Sequence, residues 1–158
     1  MNQSARNHSV STPAFQAVRL RLRPIAPDDA SRLGRLGGRR AQRLALTDPA
    51  LAAPPTFAVD LPGEGAVGVI AFQRRGRFGP DVGCWLAKPY RGRGYATEAL
   101  RRVMLWAREE WGVRCVHGGH VARDSASAVV LCRAGFLYTG DVSADRCGAA
   151  VREMVWLA

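Results

Sequence analysis

The sequence lacks a long apolar run. Its most apolar stretches, residues 66–72 and 128–132, fall well short of the ~18 residues that a membrane-spanning helix needs. It also lacks paired cysteines. Cys84, Cys115, Cys132 and Cys147 contain no C-x-x-C spacing, which argues against a zinc site and for reduced thiols in a cytoplasmic protein. Residues 1–11 have no apolar segment of the kind a secretory signal requires, and residues 1–16 are expected to form a flexible tail. Glycine (17) and proline (9) are too few and too aperiodic for a fibrous chain. Lysine is nearly absent: Lys88 stands alone among 23 basic residues, the rest being arginine. What is present is a chain of 158 residues, 47% hydrophobic and 23% charged, enough for one globular domain with its own core. The formal charge of +10 suggests an anionic partner, although codon bias explains such arginine use as readily as a selected basic surface does.

Hydrophobic periodicity divides residues 17–158 into alternating elements of one α/β domain. Residues 17–23 alternate apolar and basic side chains, as a strand with one buried face does, and Pro24 and Pro27 stop it. Asp28 or Asp29 is a plausible cap for a helix through Gln42 that Gly34, Gly37 and Gly38 weaken. A proline-rich loop over 47–55 precedes three strands, 56–60, 66–73 and 81–87. An arginine-rich turn over 74–80 joins the last two. Residues 95–111 carry the chain's strongest amphipathic stripe, with Glu98 four residues before Arg102 and Gly112 just past the end. A strand over 113–121 follows, then a short helix capped by Asp124 or Ser125 and ended by Gly135. Two strands, 136–142 and 151–157, complete the chain.

The chemistry concentrates where the strand over 81–87 turns into the amphipathic helix. Arg91-Gly92-Arg93-Gly94 places two glycines and two arginines at a helix start, where backbone N–H groups have no intrahelical partner and the macrodipole is positive. Glycine lets an anion approach the main chain, so the turn suits a phosphate; a tight turn that merely relieves strain is the alternative. The dinucleotide fingerprint is incomplete because Thr97 stands at its third glycine. No Gly-Lys-Ser/Thr exists for a P-loop.

Arg91-Gly92-Arg93-Gly94-Tyr95-Ala96, continued by Thr97-Glu98-Ala99-Leu100, resembles the acetyl-coenzyme A signature of the GNAT N-acetyltransferases. Leu20-Arg21-Leu22-Arg23-Pro24 with Asp28-Asp29, Asp81-Val82-Gly83-Cys84-Trp85-Leu86, and residues 124–127 with Gly135-Phe136 extend the likeness over residues 18–157. The overall pattern is similar to that of the ribosomal-protein N-acetyltransferase (Rim) group. The resemblance implies a mixed, mostly antiparallel sheet with flanking helices, in which strands 81–87 and 113–121 splay apart to admit the pantetheine arm. It further implies that backbone groups of Leu86 and Ala87 pair with that arm. The amides of Arg91, Gly92, Arg93, Gly94, Tyr95 and Ala96 would wrap the diphosphate, and an N–H near Leu86 would polarise the acetyl carbonyl. Asp124 and Ser127 occupy the places of a family Asn and Ser beside the coenzyme.

Direct attack of an amine on the thioester needs a base and an acid. Asp81 stands where family members often carry an acidic group. His120 is the second candidate base, because imidazole changes charge near neutrality; His117 and His8 rank below it. Ser127 matches the serine that would meet the leaving sulfur, or it bonds its own helix backbone. The tyrosine that many members carry four residues before the glycine of Gly-Phe is Leu131 here, and Tyr138 is a distant substitute. Asp124 in place of Asn suits a helix cap better than a donor. The resulting expectation is a cytoplasmic, monomeric or homodimeric acetyltransferase acting from acetyl-coenzyme A on a primary amine. A protein N-terminus, ribosomal or other, is the first choice of acceptor, and an antibiotic or polyamine the second. A non-catalytic acetyl-coenzyme A sensor is the competing class. Neither a membrane partner nor a direct nucleic-acid function is expected; Arg74, Arg75, Arg77 and Phe78 form only a small basic-aromatic cluster, which with residues 32–43 could steer docking onto ribosomal RNA.

Overall fold

The computed structural model describes residues 12–37, 55–74 and 79–158. Most of the expected tail, the continuation of the first helix beyond residue 37, most of the loop over 47–55, the turn residues 75–78 and His8 lie outside those residues. The elements run β1 (Phe15–Gln16), β2 (Arg21–Pro24), α1 (Pro27–Gly37), β3 (Thr56–Leu61), β4 (Gly65–Arg74), β5 (Pro80–Leu86), α2 (Tyr95–Glu109), β6 (Cys115–Val121), α3 (Ser125–Arg133), β7 (Leu137–Ala144) and β8 (Ala150–Leu157). They build one eight-stranded sheet in the order β1-β2-β3-β4-β5-β6-β8-β7. Every neighbouring pair is antiparallel except β5–β6, which is parallel.

The two faces of the sheet are covered differently. The apolar stripe of α2 buries Ala99, Leu100, Val103, Met104, Trp106 and Ala107 against Leu22, Phe57, Val59, Ile70 and Phe72, and α3 adds Leu131 beside Val116, Phe136 and Met154. At roughly 1.5–3 kcal/mol for each fully buried large side chain, this face carries most of the hydrophobic stabilisation. The opposite face takes α1, whose Leu33 and Ala30 pack on Ala58, Val69 and Trp85. Gly37 lies so close to Trp85 that a Cβ there would fall 1.6 Å from the indole.

Two boundaries differ from the sequence reading. Phe15–Gln16 are not tail: Phe15 packs 5.3 Å from Phe57 and 6.4 Å from Trp106 (ring centroids), and this aromatic contact adds a two-residue edge strand to β2. α1 begins at Pro27, where a fixed φ and a missing N–H suit the first helical position. Asp29 sits inside the first turn and reaches back to accept the Ala26 N–H at 2.7 Å. Its carboxylate also receives both terminal nitrogens of Arg23, at 2.6 and 2.9 Å, and Arg23 bridges on to Asp60 at 3.1 Å. Burial pushes the Asp29 carboxyl up, but the Arg23 guanidinium and the Ala26 amide together hold it below the usual aspartate range. Among the described residues no helix is long and apolar enough to cross a membrane.

Candidate active site

The sheet opens at its one parallel pair. β5 and β6 share a single register position, Asp81 opposite His117, and then part. β4 meanwhile stays with β5 from Arg74–Pro80 to Gly68–Leu86. The Ala87 N–H donates to Val67 O at 2.9 Å. Because backbone groups alternate sides along an antiparallel ladder, residues 81, 83 and 85 also turn to β4, and Leu86 turns its N–H toward the opening that β6 has left. On the opposite bank Gly118 and Gly119 form the middle of β6, and Phe136, Leu131 and Val151 crowd the places their Cβ atoms would take.

The expected roles of Leu86 and Ala87 therefore separate. Both main-chain groups of Ala87 are taken, its N–H by Val67 O and its carbonyl by the Tyr90 N–H at 3.0 Å, because its place in the ladder aims it at β4. Leu86 keeps an amide aimed into the gap, while its carbonyl accepts Arg91 Nε at 2.8 Å.

Above the gap, a single 3-10 turn (Lys88–Tyr90) leads into the glycine loop and α2. Arg91's amide bends back to Lys88 O at 3.3 Å, so it is spent. Gly92 and Gly94 have φ of 74° and 81°, the left-handed region that L side chains rarely adopt, and Gly94 caps α2 without a side-chain bond. Two left-handed glycines ahead of a positive helix end are the backbone pattern of an amide nest over residues 92–96, a type of turn suited to anions. A Cβ on Gly92 would meet nothing within 4 Å, so the approach is open.

The loop is braced from both sides by residues that the sequence reading missed. Tyr90 OH donates to Glu64 Oε2 at 3.0 Å, and that carboxylate pushes the phenol up. On the other side Arg19 donates its backbone N–H to Glu98 Oε1 (2.6 Å), Nε to Glu98 Oε2 (2.8 Å) and Nη1 to Arg93 O (3.0 Å). Its guanidinium lies 4.6 Å from the centre of the Tyr95 ring, and Nη2 would sit 3.3 Å from a Cβ on Gly94. Arg19 therefore hangs a charged donor over the nest. The expected Glu98–Arg102 helix pair gives way to this contact. Arg102 instead donates to Gln16 O at 3.2 Å and stacks 4.5 Å over Phe15. A partner 79 residues away leaves no local sequence signal.

The proton-handling candidates divide between the faces. Asp81 shares the α1 face with Trp85, at the closed end of the gap beside its register partner His117. His117 Nε2 lies 3.6 Å from Cys115 Sγ. His120 projects from the opposite face, in step with Val116. It is buried and its ring is fully bonded. Nδ1 contacts Val121 O at 2.9 Å, so it carries the hydrogen, and Nε2 accepts from Tyr138 OH at 2.9 Å. Tyr138 is half exposed on β7, so the structure joins two residues that the sequence left separate. Asp124 caps α3 by accepting the Ser127 N–H at 3.0 Å, and it also receives the Ser127 hydroxyl at 2.6 Å. Leu131 packs near Gly118 and Phe136, with no phenol at that place. Among the described residues no group of three or more His, Cys, Asp or Glu could hold a metal ion.

Residues 19–137 match the family model described as the acetyltransferase (GNAT) domain. No curated protein sequence matches the chain. Among solved structures, the fold is similar to a GNAT-family acetyltransferase from Bacillus anthracis (TM-score 0.75, 18% identity, 91% of this chain and 98% of that one). It is similar to the ribosomal-protein-S5-alanine acetyltransferase from Vibrio fischeri (TM-score 0.77, 16% identity, 91% and 96%). A chimeric spermidine N-acetyltransferase from Vibrio cholerae is likewise similar (TM-score 0.73, 13% identity, 88% and 95%).

Proposed function

The chain belongs to the GNAT acetyltransferases, and from that premise we propose that it carries acetyl from acetyl-coenzyme A to a protein N-terminal amine. The observation that carries the coenzyme reading is the single β5–β6 rung beneath the Gly92–Gly94 nest. An anion held by the nest amides of residues 92–96 and by Arg19 would direct an amide-bearing arm down the opening. There the Leu86 N–H supplies the rung that β6 does not, and polarises the thioester carbonyl as negative charge develops on its oxygen.

The two faces suit the two proton transfers. The amine forms a C–N bond at the carbonyl carbon and loses a proton; the C–S bond breaks and the sulfur gains one. Asp81, on the α1 face, is the proposed base, acting through water along the gap. Ser127, on the α3 face, is the proposed partner of the departing sulfur. Its hydroxyl hydrogen points at Asp124, so it must turn before it can donate. As a base, His120 would first have to release the Tyr138 hydroxyl from Nε2, which ranks it second.

The fold likeness to the ribosomal-protein-alanine enzyme favours a protein N-terminus, and the +10 charge disfavours a polycation such as spermidine. The four cysteines are free thiols, which suits a reducing cytoplasm. One observation favours the non-catalytic sensor: Leu131 stands in place of the phenol, and the Ser127 hydroxyl is already engaged by Asp124. The deciding experiment offers a panel of N-terminal peptides, polyamines and aminoglycosides with acetyl-coenzyme A, and detects acetylated product by mass. Peptide product supports the proposal, small-amine product replaces the acceptor, and tight coenzyme binding without product supports the sensor.

A further inference from the structure

The α1 face of the sheet is covered over only part of its width. Leu33 and Ala30 of α1 pack on Ala58, Val69 and Trp85, which belong to β3, β4 and β5. Across the rung between Asp81 and His117 the same face continues over β6, β8 and β7, because cross-strand partners share a side: His117 faces with Val155, and Val155 with Leu137. Among the described residues no helix packs on that half, since α3 lies on the other side with Val116, Phe136 and Met154.

That uncovered half has a composition of its own. Leu137 and Leu157 are 63% and 61% exposed, and Val121, Val151 and Val155 are half-buried beside them. A contiguous exposed apolar patch marks an interaction surface. The chain carries a formal charge of +10, yet none of the paired positions on this half-face is lysine or arginine; Arg152, inside β8, turns to the opposite side with His120. The carboxylate among those positions is Glu153, half-buried and opposite Gly119. Ser143 Oγ donates to Glu153 Oε1 from β7, which orients that carboxylate, and a carboxylate accepts more than one donor.

Asp81 stands on the same face, so an amine whose proton passes to Asp81 arrives from this side. Two strand spacings and two residues separate Asp81 from Glu153, about 12 Å. An extended chain crosses that distance in three or four residues at about 3.3 Å each. A basic peptide lying here avoids the arginines found elsewhere on the surface, and the apolar strip meets side chains that a polyamine lacks. We propose that this half-face is the docking surface for the acceptor's N-terminal segment, which lies extended across β6 and β8 and sets a lysine or arginine at its third or fourth position against Glu153. The proposal rests on the protein-N-terminus reading above, and it makes Glu153 a specificity-determining residue remote from the reacting atoms.

The test measures acetylation of hexapeptides that differ only in carrying Lys, Gln or Glu at the third or fourth position, by the full chain as wild type, Glu153→Gln and Glu153→Lys. One charge-assisted contact predicts a wild-type KM for the Lys peptide about tenfold below that for the Gln peptide, with a difference that shrinks as salt rises. Glu153→Gln should remove the preference, and Glu153→Lys should turn it toward the Glu peptide. Equal KM values for the three peptides in the wild type, or a preference that neither variant moves, would overturn the docking surface while leaving N-terminal acetylation intact. Sedimentation completes the test: a wild-type dimer that Leu137→Asp dissociates would assign the face to a second copy of the chain and overturn the proposal. Product from none of the peptides, with the coenzyme bound, would remove the acceptor reading and this proposal with it.

Discussion

Arg19 grips Glu98 twice, through its backbone N–H at 2.6 Å and its Nε at 2.8 Å, and thereby ties the β1–β2 connection to the first turn of α2. Because the same guanidinium reaches Arg93 O and overhangs Gly94, this pair sets the shape of the anion nest. Arg19→Gln should weaken coenzyme binding by about tenfold, the equivalent of roughly 1.4 kcal/mol. It should lower stability by no more than about 1 kcal/mol, since the Arg19 side chain is half exposed. Isothermal titration beside urea denaturation separates the two effects; equal loss in both would make Arg19 a structural brace only.

Gly94→Asp should abolish coenzyme binding. The position requires a φ of 81°, any Cβ meets Arg19, and the new carboxylate repels a diphosphate. Ligand at 100 times its Kd raises wild-type stability by about 2.7 kcal/mol. A melting scan of the variant should show no such rise, and a retained rise would place the diphosphate elsewhere.

Asp29→Asn should destabilise the fold by about 1.5–3 kcal/mol at neutral pH, by weakening a charge-assisted contact with Arg23 in a part-buried site. The folded-state pKa of Asp29 is depressed, so its contribution is fully present above the unfolded value near 3.9. It is lost as pH falls through the lower folded value. Urea denaturation of wild type and variant should therefore differ at pH 7 and converge in strong acid. A gap that persists at the lowest pH would refute the linkage.

Asp81→Asn should lower kcat by about 10²- to 10⁴-fold if that carboxylate takes the amine's proton. Tyr138→Phe should behave in the opposite way. It leaves buried His120 Nε2 without its donor and costs about 1–3 kcal/mol of stability, while turnover holds. Initial rates and denaturation curves on both variants distinguish a base from a packing pair, and a Tyr138→Phe enzyme that turns over faster, its Nε2 released, would promote His120.

The parts legible in the sequence were those written locally. The stripe of residues 95–111 and the strands read over 66–73 and 151–157 correspond to α2, β4 and β8 to within two residues. The glycine loop was readable because a positive φ demands glycine in place. What escaped depends on distant partners. Glu98 reads as a helix pair with Arg102 until Arg19 arrives from the far end of the chain. Ala87 reads as a ligand contact until the ladder's phase turns it to Val67. Residues 15–16 carry no strand pattern, and only the pocket between Phe57 and Trp106 makes them one.

With a lone rung joining β5 to β6, the sheet is two rafts, one of five strands and one of three, moored chiefly by the helices across their common back. Such a seam is mechanically weak until something bridges it. A bound arm spanning from Leu86 toward the glycines of β6 would act as a missing slat, so amide exchange should slow on both banks at once, far beyond the few groups it touches.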